Sequence, residues 1–178
     1  SKSIGDVGDD NGKHVTISPS NEIYVMGYFE QTVDFDPGAL VTAAAATSGR
    51  DAFLLKLNSA GDFQWVNTVG GNIDNDIAKA VDFDADDNIF YVGTYSGTVT
   101  LGLNTHVSNG LTDCFVQKLD PSGNSLWSTS FGTTDDDYIN AIIVDSDTSL
   151  FLDGKFNGSM DIDPSAVNTI ATSIGDYD

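Results

Sequence analysis

The sequence is poor in the residue types from which most redox, metal-hydrolytic and nucleic-acid chemistry is built. Among 178 residues there is one cysteine, Cys114, which excludes an internal disulfide and cannot alone make a structural zinc site. There are two histidines, His14 and His106, and neither belongs to an H-E-x-x-H pair. A G-x-S-x-G elbow and a phosphate loop are missing as well. Basic residues are scarce: seven Lys plus Arg stand against 27 Asp plus Glu, a net charge of −20. That charge repels nucleic acid phosphates and anionic lipid alike. No apolar run approaches the roughly 20 residues that a membrane-spanning helix needs. A secretion leader is absent, and the first residue is Ser1, so the chain reads as beginning inside a repeat. Sustained helical periodicity is also lacking. Its nearest approach is ALVTAAAAT, residues 39–47, whose alanines are good helix formers.

What is present is enough for a core, with 40% hydrophobic and 10% aromatic residues, and it is arranged as an internal repeat. DAFLLKLNSAGDFQWVNTVGG from Asp51 returns as DCFVQKLDPSGNSLWSTSFG from Asp113, with Asp, Phe, Lys and Trp each displaced by 62 positions. A second block occurs three times, starting at Gly5, Gly71 and Gly132. It brings Gly27, Gly93 and Gly154 into register, followed by Phe29, Tyr95 and Phe156. Within each block Val15 and Ile17, Val81 and Phe83, or Ile142 and Val144 alternate as in a short strand. A turn-rich stretch follows, and then an apolar run reads as a second strand. Two residues come next, Glu30 with Gln31, Ser96 with Gly97 or Asn157 with Gly158, of which the last two pairs read as tight-turn material while Glu30 with Gln31 replaces the glycine turn; a short further piece and a loop follow. The opening block supplies the third and fourth strands.

Four strands per unit in an all-β, antiparallel repeat is the pattern of β-propeller blades, which bury both faces of each sheet against neighbours. The repeats run over about 5–69, 70–131 and 132–178, the last incomplete, so the expectation is a segment of about two and a half blades. The partners implied are the remaining blades of the same propeller or other protein chains. Phe53, Trp65, Phe115 and Trp127 are expected to lie buried between adjacent sheets.

These residues resemble the bacterial β-propeller repeat family often called SBBP, for seven-bladed β-propeller. The resemblance rests on D-x-F-x-x-K-L (Asp51, Phe53, Lys56, Leu57 and Asp113, Phe115, Lys118, Leu119), the following Gly and Trp, and the strand that ends in Gly. DFDPG from Asp34 and DIDPS from Asp161 add to it. It implies an exported or cell-surface protein with a binding or scaffold role and no catalytic motif. Asp153 departs from the pattern, standing where Met26 and Val92 stand.

Three groups of residues could carry chemistry. Asp10, Asp76 and Asp137 align before the first strand of each repeat and would form a ring of carboxylates suited to calcium, which seeks six to eight oxygen ligands; alternatively each satisfies backbone N–H groups in its own turn. Asp82, Asp84 and Asp86 form a D-x-D-x-D that lacks the Gly and Glu of a calcium loop. Trp65 and Trp127 could stack on a glycan, though their matched positions favour packing. Lys56 and Lys118 read as structural charges with buried stems. The function expected is a non-catalytic extracellular scaffold, adhesion or interaction segment. A calcium- or carbohydrate-binding propeller, and part of a polysaccharide-acting enzyme with its active site elsewhere, are the alternatives.

Overall fold

The computed structural model describes residues 3–38, 40–73, 75–161 and 170–173. The apolar alternation of the first repeat folds into four strands, β1 (Asn11–Ile17), β2 (Ile23–Asp34), β3 (Ala43–Leu57) and β4 (Phe63–Val69), antiparallel and hydrogen-bonded in chain order. The second repeat builds the same sheet from β5 (Ile77–Phe83), β6 (Ile89–Leu101), β7 (Asn104–Leu119) and β8 (Ser125–Phe131). In the third repeat β9 (Tyr138–Val144) pairs with β10 (Leu150–Lys155), and β11 (Ser159–Asp161) pairs with β12 (Ile170–Thr172). The fold is thus all-β, made of four-stranded antiparallel sheets of the propeller-blade kind. Residues 162–169 and 174–178 of the third repeat, which include 162–165 of the DIDPS stretch, lie outside the described residues.

One turn chemistry closes five hairpins. Asp84, Asp120, Asp145 and Asn58 each accept, through the side-chain oxygen, the amides two and four residues on, at 2.8–3.1 Å. Ser18 Oγ accepts the amide of Glu22 in the same way. The fourth residue of each turn takes positive φ: Asn21 (64°), Gly61 (82°), Asp87 (59°), Gly123 (87°) and Thr148 (62°). Asx residues here supply a local acceptor, and Gly or Asn tolerates the left-handed geometry. The D-x-D-x-D stretch is therefore one of these turns. Asp84 holds it closed and also accepts from Lys118 Nζ at 3.0 Å, while Asp82 Oδ2 reaches across to the amide of Val144 in the third repeat at 2.7 Å.

Two expectations about the long connection are corrected. Ser96–Gly97, expected as a tight turn, does not reverse the chain, and Glu30–Gln31 behaves alike. Both pairs are bulges, inside β6 and β2, with Gly97 at φ 72° and Gln31 at φ 60°, where one residue stands opposite four on β7 or β3. The surplus length of each repeat is an extended hairpin, closed in the second sheet by Gly102 and Leu103 between the paired residues Leu101 and Asn104. The alanine-rich stretch is likewise strand from Ala43, because pairing with the end of β2 at Thr32–Asp34 satisfies its backbone and outweighs the alanines' weak preference for helix.

The two complete sheets stack face to face. Tyr24, Met26, Ala52, Leu54 and Val69 of the first meet Val81, Tyr91, Tyr95, Phe115 and Leu119 of the second. A second layer, Phe90, Val92, Cys114 and Val116 against Ile139 and Ile142, joins the second sheet to the third repeat. Phe115 occupies the first interface as expected, lying over Gly93, where a Cβ would come within 2.6 Å of its ring. Phe53 is buried too, but in a cluster with Phe29, Phe35 and Leu55 on the face of the first sheet that points away from the second.

The tryptophans differ from expectation and from each other. Each meets the aromatic ring of its own second strand edge-on, Tyr24–Trp65 at 5.9 Å and Phe90–Trp127 at 6.1 Å, both at 69°. Trp65 Nε1 then donates to Pro121 O at 3.3 Å, Lys56 Nζ donates to the same carbonyl at 3.0 Å, and Gly123 lies against the indole. A clamp from one repeat thereby grips the outer turn of the next. Trp127 has no described turn above it and remains 37% exposed.

Truncating Phe115 to alanine should cost about 3–5 kcal/mol, since the ring fills an enclosed site over a glycine. Trp65→Ala should cost at least about 1 kcal/mol more than Trp127→Ala, because only Trp65 is covered on both sides. Urea denaturation of the three variants measures both differences.

Candidate functional site

Asp10, Asp76 and Asp137 share one geometry. Each sits just before the first strand of its repeat and accepts two backbone amides, one four or five residues behind and one 20 residues ahead. Asp10 takes Asp6 N at 2.7 Å and Glu30 N at 3.1 Å. Asp76 takes Gly71 N at 2.9 Å and Ser96 N at 3.1 Å. Asp137 takes the amides of Thr133 and Asn157. The forward amide always precedes a positive-φ residue, Gln31 and Gly97 in the bulges and Gly158 before β11, so the carboxylate ties that point of the chain to the segment entering the first strand. Asp76 and Asp137 are fully buried. Their own amides donate to Arg50 O at 3.1 Å and Thr112 O at 2.7 Å in the preceding repeat.

A companion pair had no assigned role in the sequence. Asp51 Oδ2 accepts Thr47 N at 2.9 Å, and Asp113 Oδ2 accepts Asn109 N at 2.9 Å, which pins the excess residues of β3 and β7 against the bulge. Gly70 and Gly132 leave room for these carboxylates: a Cβ at either would lie within 2.5 Å of a carboxylate atom. The signal was available as an Asp followed 19 residues later by a Gly in both repeats. Asp113 Oδ1 is buried without a hydrogen-bond partner among the described residues. Burial, reinforced by the nearby Asp137 carboxylate, pushes Asp113 up to about 6 against the opposing effect of the Asn109 amide. Burial also raises Asp137.

The other candidates are placed plainly. No group of three or more His, Cys, Asp or Glu side chains suited to hold a metal ion occurs among the described residues. His14 is exposed on β1. His106 on β7 lies between Ser130 Oγ, 3.0 Å from Nδ1, and Ser128 Oγ, 2.9 Å from Nε2, and burial lowers its pKa. Cys114 is a buried thiol in the second apolar layer, pushed up to about 12 by that burial. Arg50 bridges Asp9 at 2.7 Å and Glu30 at 3.3 Å, and stacks over Tyr28.

A cleft of about 1050 Å³ lies between the second sheet and the third repeat. Val116, Trp127 and Phe131 form one wall; Leu152, Gly154 and Phe156 form the other. Asp137 and Lys155 stand at its margin.

No family model matches the chain. At 23% identity over 87% of its length it is similar to an uncharacterized WD repeat-containing protein of Acanthamoeba polyphaga mimivirus. It is also similar, at 24% identity over 99% of its length, to regulatory protein FlaEY of Caulobacter vibrioides. The chain spans only 13% and 19% of the lengths of these relatives. Together with the stacked sheets, the first similarity supports a repeat protein of propeller type.

Replacing Asp76 by alanine strands two buried amides and should destabilise the fold by about 2–4 kcal/mol, with a smaller loss for the half-exposed Asp10→Ala. A buried carboxyl held near 6 against 3.8 when unfolded binds a proton on folding. Its stabilising contribution is therefore present below pH ~4 and is lost as pH rises through ~6. Asp113→Asn should stabilise the protein on the order of 1–2 kcal/mol at pH 7 and hardly at all at pH 4. Melting curves of both proteins across that range supply the check.

Proposed function

We propose that the chain is a non-catalytic interaction scaffold, exported or held at the cell surface, of the kind the SBBP-type repeat implies. The observation that supports this reading most is the contrast between equivalent residues. Val81 is 7% exposed where a sheet covers it, while Val15, the same residue in the same place, is 63% exposed. Phe90 is 2% exposed, and its counterpart Phe151 is 60% exposed. Residues buried where two repeats meet are thus exposed where no described repeat covers them, so the face a repeat offers its neighbour is apolar, which suits a module that works by being packed against. An extracellular setting accords with the charge of −20 and the lone buried thiol, and the binding partner in this reading is protein.

Trypsin treatment of intact producing cells tests the location: peptides bounded by the exposed basic residues of this segment should be released without lysis. Protection until lysis would overturn export. Turnover of a polysaccharide or glycoside by the purified whole protein, lost on substitution within this segment, would overturn the non-catalytic part.

A further inference from the structure

Of the aspartates that close hairpins among the described residues, only Asp84 also holds an amine. Its Oδ1 accepts the amides of Asp86 and Asn88, which leaves Oδ2 to take Asn88 Nδ2 at 2.9 Å and Lys118 Nζ at 3.0 Å. One carboxylate oxygen therefore stands between a primary amine and a carboxamide. The side chains of Lys118 and Asp84 are only 16% and 6% exposed. The ammonium lies 4.4 Å from the centre of the Phe90 ring, which Trp127 meets edge-on. Equivalent places in the other repeats lack a component. The first repeat has Ser18, Glu22 and Lys56, with Lys56 Nζ 4.0 Å from Glu22 Oε2, and the third has Asp145 with Ser149.

An amine, a carboxamide and a carboxylate bonded to both are the components of amide exchange: nucleophile, acyl group and proton carrier. We propose that Lys118 and Asn88 become joined by an isopeptide bond, with Asp84 as the acid–base catalyst between them. Asp84 takes a proton from the Lys118 ammonium, Lys118 Nζ attacks Asn88 Cγ, and the Cγ–Nδ2 bond breaks. Of the three hydrogens on the ammonium, one stays on the new amide nitrogen. The other two pass through Asp84 to the departing nitrogen, which leaves as ammonium. The carboxylate is regenerated, charge is conserved, and no oxidant or cofactor enters. Burial works to raise Asp84, and the hydrogen bonds from Asn88 and Lys118 outweigh it, so the carboxylate rests ionised. The first proton transfer is therefore uphill, and linkage proceeds slowly after folding. Holding both reactants on one oxygen offsets that cost, because it makes the aminolysis intramolecular. The new bond closes a loop from Asn88 to Lys118 that contains all of β6 and nearly all of β7. It restricts the unfolded chain as a disulfide would, in a protein whose single buried thiol can form none within itself.

Mass spectrometry of the whole 178-residue protein tests the linkage. The mass should fall below the sequence value by one ammonia, slowly after folding. Trypsin should then leave residues 80–155 in one piece, because it does not cut after an acylated lysine. The linked form should melt above the freshly folded form of the same chain. Lys118→Arg keeps a positive charge beside Asp84 but supplies no amine that attacks, and should retain the full mass. Asp84→Asn keeps the turn acceptor, as Asn58 does in the first repeat, and should link at least about a hundredfold more slowly. A wild-type protein still at full mass after prolonged incubation would overturn the proposal. So would ammonia loss that persists in Lys118→Arg, since it would then come from Asn-Gly pairs such as Asn11-Gly12 or Asn109-Gly110. Linkage at an undiminished rate in Asp84→Asn would remove Asp84 from the catalysis. The location and partners of the scaffold reading are untouched by any of these results.

Discussion

A carboxylate that accepts backbone amides is the interaction on which this architecture depends. Each of the two complete repeats interrupts its second strand with a positive-φ bulge and its third with several extra residues, and either defect leaves amides without ladder partners inside the protein. Buried amides without acceptors are costly, so the fold requires an acceptor at each defect. Asp10, Asp76 and Asp137 serve the second strand, and Asp51 and Asp113 serve the third. Because Asp76 and Asp137 also donate their own amides to the preceding repeat, the same residue that repairs one sheet registers it against its neighbour. The interface is then aligned by directional bonds as well as by apolar contact, which alone is insensitive to small slips.

The solution has a cost that falls unevenly. Asp113 and Asp137 bring two carboxylates into one buried region, and their charges oppose each other there. Asp113 carries the larger burden because only one of its oxygens finds a donor. A glycine must follow at Gly132 to admit the group at all. The Asp and the Gly are therefore one structural unit, separated by a strand and a turn in sequence and in contact in space. A side chain at the glycine would displace the carboxylate, and loss of the carboxylate would release the bulge.

Much of the architecture was legible in the sequence because repetition turns a weak local signal into a strong one. Strand alternation at Val15–Ile17 could pass for chance; the same alternation at Val81–Phe83 and Ile142–Val144 could not. Turn positions were legible for the same reason, since Asn58 and Asp120 recur at a fixed place. The extended hairpin was not, because Ser96–Gly97 has the composition of a turn, and whether such a pair reverses the chain or bulges it depends on what pairs afterwards. The alanines of β3 misled in the other direction, since their edge pairing is a tertiary fact. Of the candidate site residues, the alignment of Asp10, Asp76 and Asp137 was visible, but the direction in which their oxygens point was not. Trp65 and Trp127 were indistinguishable, because what separates them is a turn contributed by another repeat.

The acidity of the chain acquires a different meaning once these roles are assigned. A charge of −20 invites a search for cations, yet many of the aspartates already have their oxygens engaged by the protein's own amides. Asp84, Asp120 and Asp145 close hairpins, and the buried aspartates repair bulges. Aspartate is suited to both tasks because its short side chain brings a full negative charge within reach of the local backbone, where a charge-assisted hydrogen bond is roughly twice as strong as a neutral one. Few lysines or arginines are needed to balance such groups, since amide dipoles do so. A repeat that uses one bulge and two tight turns per unit thus accumulates negative charge in proportion to its number of repeats. Strong net acidity is then a consequence of how the strands are joined, and a ligand must be sought where the chain leaves a surface open rather than where it gathers carboxylates.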